Sequence, residues 1–465
     1  MEVYKLNQEP IATKIGKIAA KMEYEAIPES LTKTSKLFML DLIGCIIKGK
    51  HVTSSEIMTK VIIGLGGQPQ STFIGYNNKT AAPLAALING TAGHALDMDD
   101  DHREGTLHAS VVVFPAVLAA AETVGAAGKD VITSYALGTE LMIRLGESFL
   151  GQSYYQGFHP TGTTGVFGAA LGVGKIFGLS PDKLAIAQGI AGSQSSGLLE
   201  WKKNGSWTKR FQAGHAARGG VVSALLAREG YTGPDTIYEG NDGFVKAFSY
   251  KDQYDINKVI DNFGVKWELA DNSIKPHACC RFACPIVDAG LDISKNYKFK
   301  PEDIEDVLVK CNKWMITILT QLEERKYNPE TVVDTQFSLP YAAAVSLVKK
   351  RASADEFTEE AIKDPTVYEV MQKVRYEFDP EAEKVYPQKY PSTVIVTLKD
   401  GRKIKSYIEY PKGDPENPVT EQEIIDKFRV LASSNFESKK VEKIIETVLN
   451  LEQLDNINYL TKLLR

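Results

Sequence analysis

Cysteine is scarce in this chain, with five among 465 residues: Cys45, Cys279, Cys280, Cys284 and Cys311. So sparse and odd a set argues against a disulfide framework of the kind that staples small secreted domains. Neither sign of charge dominates. Basic residues number 54 and acidic ones 59, giving a formal charge of −5 with neutral histidines. No block of five or more like charges occurs, so composition leaves no footprint for nucleic acid. Long apolar runs are missing too. Stretches such as Val111 to Ala121 fall short of the roughly 20 residues that span a bilayer. Met1 to Pro10 is polar and lacks the apolar segment of a signal peptide. Together these absences lead to the expectation of a cytoplasmic enzyme with no membrane or nucleic-acid partner. What is present is ordinary globular material, 43% hydrophobic and 24% charged. The length allows about two to four domains at roughly 100–200 residues each.

From about residue 8 to residue 265 the apolar spacing is repeatedly helical. Leu37, Leu40, Leu42, Ile43, Ile46 and Ile47 give Leu31 to Ile47 a wide apolar face. Further helices are expected at Ser54 to Ile63, Pro83 to Leu96, Val111 to Val124, Val131 to Gly146, Gly165 to Phe177, Pro181 to Gln194 and Ala213 to Gly230. Several are rich in alanine and glycine, which suits close helix packing. After about residue 266 the pattern changes. Val307 to Cys311 reads as a strand, and Thr393 to Leu398 with Lys403 to Tyr410 reads as a hairpin turning at Asp400-Gly401. Phe337 to Val348 and Thr358 to Val374 read as helices between them. The tail from Glu421 returns to amphipathic helix, and its apolar face needs a surface to cover. The expected fold is therefore mainly α: a large helical domain built from both termini, 1–268 and 412–465, with a smaller α+β domain, 269–411, inserted.

Only seven histidines occur, and their neighbourhoods are informative. His94-Ala-Leu-Asp97-Met-Asp99-Asp100-Asp101-His102 concentrates carboxylates and imidazoles after an apolar helix, with His108 close behind. Such a cluster is costly to bury without partners. It reads either as a site for proton transfer or metal binding, or as a helix end solvated by water. No HExxH spacing supports metal, and none is expected. His159-Pro-Thr-Gly-Thr-Thr-Gly165 precedes a small-residue helix, where free amides would form an anion-binding surface or simply a helix-start turn. It contains no GKS or GKT, and no GxGxxG follows a strand. Lys209 or Arg210 could pair with an anionic substrate, or be surface cations. In Lys275-Pro-His-Ala-Cys-Cys280-Arg281-Phe-Ala-Cys284, the cysteine spacing lacks the paired ligands of a zinc or iron–sulfur site, which favours buried apolar thiols.

Taken together, Asn89 to Asp100, His159 to Gly165, Thr208-Lys209 with Ala213-Gly-His215-Ala-Ala-Arg218, Lys275 and Cys279-Cys280-Arg281 resemble the MmgE/PrpD family. Gln336-Phe337-Ser338, Val394 to Gly401 and the tail extend the similarity over nearly the whole chain. This family includes 2-methylcitrate dehydratases, cis-aconitate decarboxylases and iminodisuccinate epimerases. The resemblance implies a helical domain with an α+β lid, a homodimer, a small di- or tricarboxylate substrate, and no metal or organic cofactor. It also implies that Asp97, His108, His159 and Lys209 are catalytic, while Asp101, Lys275, Cys280 and Arg281 line the substrate site. Four departures accompany it. Asp101 stands where threonine is common, and Cys284 where histidine is common. Ala109 follows His108 in place of proline. Cys280 stands where the decarboxylase carries histidine, which moves the expectation away from itaconate formation.

A proton α to a carboxylate is a weak acid, and its removal needs a positioned base and cations that neutralise the developing charge. The expected division of labour gives substrate carboxylates to Lys209, Arg281 and Lys275, and proton transfer to His159 and His108. Asp97 would orient or charge-tune a histidine. Dehydration of a 2-methylcitrate-like hydroxy acid is the leading expectation, with decarboxylation or epimerisation on the same frame as alternatives. A non-catalytic carboxylate-binding protein and a metal-dependent hydrolase are the readings from other classes.

Overall fold

A computed structural model describes residues 9–465; of the polar stretch Met1 to Pro10, the part up to Gln8 lies outside them. Among the helices of the first half, those that build and position the site are α1 (Glu29–Gly49), α2 (Ala82–Gly93), α3 (Ser110–Val124), α4 (Gly128–Ser148), α5 (Pro160–Ile176) and α6 (Thr208–Arg228). Helix α5 packs against α3, α4 and α6, and α6 lies across α2. These contacts are close because glycines meet backbone. A Cβ on Gly138 would overlap the carbonyl oxygen of Gly168, and one on Gly168 that of Gly138. Gly214 lies as tightly against Leu87 and Thr91, and Gly220 against Ala169. Helix α3 is buried from Ser110 to Glu122, as its uninterrupted apolar composition requires.

The α+β unit is built on a four-stranded sheet. Its strands are β1 (Ile304–Cys311), β2 (Val374–Phe378), β3 (Ser392–Leu398) and β4 (Lys403–Ile408), in the order β2-β1-β3-β4. Strands β1 and β2 are parallel, and the other neighbours are antiparallel. The β3–β4 hairpin turns at Asp400-Gly401, where Gly401 takes φ 87°, a left-handed conformation open to glycine. Helices α7 (Cys284–Asn296) and α8 (Leu339–Lys349) pack together, with α7 against β3 and β4. The expected helix Thr358 to Val374 is corrected here. The α-helix runs only over Pro365–Met371, started by Asp364, whose carboxylate accepts from the amides of Thr366 and Val367. Val374 then begins β2, paired with Val307.

The chain returns through α9 (Glu421–Ala432) and α10 (Ser438–Leu449), both packed on α1. Gly44 admits the Phe428 ring and Leu431. Lys427 enters the same interface, its ammonium 2.6 Å from Asp41 and 2.8 Å from the carbonyl oxygens of both Met98 and Lys275. No described helix is long and apolar enough to cross a membrane.

The glycine contacts generate a paired test. Gly220→Ala is expected to lower stability by about 1–3 kcal/mol through overpacking against Ala169. Gly64→Ala, with no atom within 4 Å of its added methyl, should be neutral or gain up to about 1 kcal/mol. Urea denaturation of both variants separates them, and equal effects would remove the close-approach argument.

Candidate active site

The site forms where the chain leaves α2. The turn His94 to Asp101 is almost wholly buried, and Asp97 sits in it at φ 53°, a left-handed conformation uncommon for a residue with a side chain. This backbone turn delivers the Asp97 carboxylate to two ammonium groups. Lys209, second residue of α6, lies 2.9 Å from Oδ2, and Lys275 lies 2.6 Å from Oδ1. Lys275 also donates to the Asp97 carbonyl oxygen. Burial alone would raise the Asp97 carboxyl, but Lys209 and Lys275 hold it well below the usual range.

Three imidazoles cluster beside this pair. His94 and His108 meet edge to face with ring centres 4.6 Å apart, and His94 stacks with His159 at 5.9 Å. Burial is the largest influence on all three, and it holds each well below the ordinary imidazole value. Their hydrogen bonds fix which nitrogen carries the proton. Gln212 Nε2 donates to the Leu198 carbonyl at 2.9 Å, so its Oε1 accepts from His159 Nδ1 at 2.7 Å. His108 Nδ1 donates to the Asp100 carbonyl at 2.7 Å. In both neutral rings Nε2 therefore keeps the lone pair. The difference between them is electrostatic. His108 has Asp99 at 3.5 Å and Asp101 at 4.0 Å, while the positive charge of Lys209 disfavours protonation of both rings and is the largest charge effect on His159.

Asp97, Asp101, His108, His159, Lys209, Cys280 and Arg281 line one cavity. Arg281 stands 3.1 Å from Asp101 and 2.6 Å from Asp414. Lys275, expected to hold a substrate carboxylate, is not among the lining residues. Its side chain is only 2% exposed and its ammonium is committed to Asp97. Cys280 presents a neutral thiol, pushed up to about 12 chiefly by burial. Arg210 does not reach the cavity; it bonds Ser54 at 3.1 Å. The segment His159 to Gly165 takes the second of its two readings, a helix start. The amides of Gly162 and Thr163 are occupied by the His159 carbonyl, and Thr161 Oγ1 accepts from the His108 amide at 3.0 Å, so this helix start positions two histidines instead of offering free amides.

Several contributors escaped the sequence reading. Gln212 lies three residues after Lys209 on α6, a spacing that places both on one helix face and was a usable signal. Trp201, Tyr154 and Tyr390, which also line the wall, and Asp414 had no local signature. Among the described residues, His94, Asp99 and His108 are the group whose ligand atoms approach one another closely enough, within 4.8 Å, for a metal ion. The cysteine segment is not such a group. Two imidazoles and a carboxylate suit a divalent cation in type; here His94 Nδ1 is 2.8 Å from Asp99 Oδ2, a direct pairing within the trio.

Comparison with known proteins gives this geometry its family. The MmgE/PrpD N-terminal domain model matches residues 13–257 and the MmgE/PrpD C-terminal domain model matches residues 277–453. The chain belongs to the MmgE/PrpD family. It is 29% identical to the cis-aconitate decarboxylase of Aspergillus terreus, over 98% of this chain and 96% of that protein. Identity to the Homo sapiens cis-aconitate decarboxylase is 25%, over 94% and 91%. With the mitochondrial 2-methylcitrate dehydratase of Yarrowia lipolytica it is 23%, over 91% and 84%.

Asp97→Asn should destabilise the fold by about 3–5 kcal/mol, because it leaves the buried Lys275 ammonium beside Lys209 without a compensating charge. Denaturant titration checks this; a loss below about 1 kcal/mol would show that the pair is not what holds the turn.

Proposed function

We propose that this protein is a lyase acting on a small di- or tricarboxylate, and that its reaction is dehydration of a hydroxy acid resembling 2-methylcitrate. The observation that carries the reading is the neutral His159, its lone pair on Nε2, sharing a cavity with the Lys209 ammonium. Relatives named as decarboxylases and dehydratases support the same substrate class. His159 Nε2 takes the proton from the carbon next to a carboxylate. The freed electron pair forms the carbon–carbon double bond as the neighbouring carbon–oxygen bond breaks, and His108, protonated in the bound complex, gives its proton to the departing hydroxide as water. Lys209 neutralises the charge that develops on the carboxylate. Asp97 holds Lys209 in place. The negative charge of bound substrate, added to Asp99 and Asp101, supplies the bias that protonates His108.

The division into 1–268 with 412–465 and 269–411 belongs to this reading. His159 and Lys209 would come from the helical domain and Cys280, Arg281 and Tyr390 from the lid, so closure of one on the other would exclude water. A cytoplasmic homodimer is proposed with it. Decarboxylation of an unsaturated tricarboxylate is the second reading, favoured by the higher identity to proteins of that name. The protonated thiol of Cys280 counts against it, because a thiol held to about 12 is a poor proton donor.

Proton NMR in deuterated buffer with EDTA tests the reading, with 2-methylcitrate stereoisomers, citrate and cis-aconitate offered separately. A new vinylic product with loss of the hydroxy acid is expected; itaconate would establish the second reading, and loss of activity on chelation would bring metal into the mechanism. His159→Gln should lower kcat by about 10²–10⁴ with an unchanged denaturation midpoint. Because His159 is held below the ordinary imidazole value, the acid limb of kcat/KM should lie below about pH 6.5, the rate being retained above that limb and lost as pH falls through it.

A further inference from the structure

The two ends of the cavity carry opposite surplus charge. At one end Lys209 and Lys275 share the single carboxylate of Asp97, leaving one positive charge over. At the other, Arg281 lies between Asp101 and Asp414, while Arg103 reaches Asp414 at 3.5 Å and Glu416 at 2.8 Å. Two guanidinium groups there face three carboxylates, leaving one negative charge over. Arg281 is thus paired in charge, with its Nε left without a hydrogen-bond partner, and its guanidinium is stacked over the Tyr390 ring at 5.2 Å. A substrate carboxylate arriving at this end would meet Asp101 before it met an unpaired cation.

Asp101 is held firmly in that position. Its amide donates to the Ser273 carbonyl at 2.9 Å and its carbonyl accepts from the Ser273 amide at 2.8 Å. Its side chain is 8% exposed and borders the cavity. One carboxylate oxygen faces Arg281. The other, Oδ1, stands 4.0 Å from His108 Nε2. Two such atoms are bridged at ordinary hydrogen-bond lengths of about 2.8 Å by one donor group placed between them.

We propose that Asp101 makes this end of the cavity select a hydrogen-bond donor on the substrate, a hydroxyl or an ammonium, and reject a carboxylate. The preferred substrate is then an acid bearing such a donor, one carboxylate at Lys209 and the donor between Asp101 and His108, in preference to an acid that has only carboxylates to offer. This rests on the reading of the cavity as a carboxylate lyase site and narrows it. A hydroxyl placed there is also next to the group that would protonate it as it leaves.

Isothermal titration calorimetry on the full chain tests the proposal with three probes: malate, aspartate and tricarballylate, the last having three carboxylates and no donor. The wild-type protein is expected to bind malate or aspartate at least tenfold more tightly than tricarballylate, the two arms separating hydroxyl from ammonium. Asp101→Asn should reduce or invert that ratio by tenfold or more. Asp101→Thr, which keeps a hydroxyl without the charge, serves as the second variant if the first does not fold. Equal wild-type affinities, or a ratio unchanged in both variants, would overturn the selectivity while leaving the lyase reading intact. No binding of any of the three acids would overturn both.

Discussion

The Asp97 carboxylate shared between Lys209 and Lys275 is the contact on which the rest of the site depends. It joins three stretches remote in sequence: the turn after α2, the start of α6 and the segment leading into the α+β unit. Its two oxygens accept from different ammonium groups, so neither lysine can move without releasing the other's partner. Buried ion pairs of this kind gain little net stability, because desolvation offsets their attraction, but removing one member leaves an uncompensated charge. That asymmetry makes the trio a device for holding position. Lys427 extends it outward, binding the Met98 and Lys275 carbonyls while pairing with Asp41. The C-terminal helix α9 thereby ties together the two segments that the Asp97–Lys275 pair joins, and the tail contributes to the site without lining the cavity.

Burial then sets the chemistry of the neighbouring groups. His108 and His159, each within 6 Å of His94, cannot all be charged with it in a dry environment beside two lysines, so the resting cluster is neutral. Neutral histidines are bases, and their hydrogen bonds decide where the basicity points. Gln212 directs His159, the Asp100 carbonyl directs His108, and Asp99 occupies His94. The carboxylates near His108 separate two otherwise similar rings, an asymmetry that suits the proposed division into acid and base.

Much of the helical half was legible in the sequence because its signal is local. The apolar spacing of α1 and the alanine- and glycine-rich runs of α5 and α6 report burial directly. The failure at Thr358 to Val374 is instructive for the same reason. Val367, Val370, Met371 and Val374 keep helical spacing, yet Val374 is drawn into a parallel ladder with a strand more than sixty residues earlier, and nothing nearby announces that pairing. At the site, the clustered histidines and aspartates were visible as chemistry without a geometry. The selection of Asp97, His108, His159 and Lys209 came from family resemblance, since no spacing rule brings residues on separate helices to one carboxylate. Asp414 and Tyr390 meet Arg281 from more than a hundred residues further along the chain, and the substrate role expected of Lys275 came with the resemblance, whereas its ammonium is held by Asp97.

The departures from the family pattern are distributed unevenly. Asp97, Lys209 and Lys275, which hold the turn, are present, as are the two histidines with oriented lone pairs. Asp101 and Cys280 instead occupy the wall of the cavity on the side of Arg281. A frame of this kind permits the wall to change while the proton-transfer layer stays in place, because the Asp97 ion pairs do not pass through Asp101 or Cys280. The charge of a wall residue then acts on substrate choice through direct contact, and on His108 through space. In this chain both effects converge on Asp101, which neutralises Arg281 and stands beside the histidine whose protonation the proposed elimination requires.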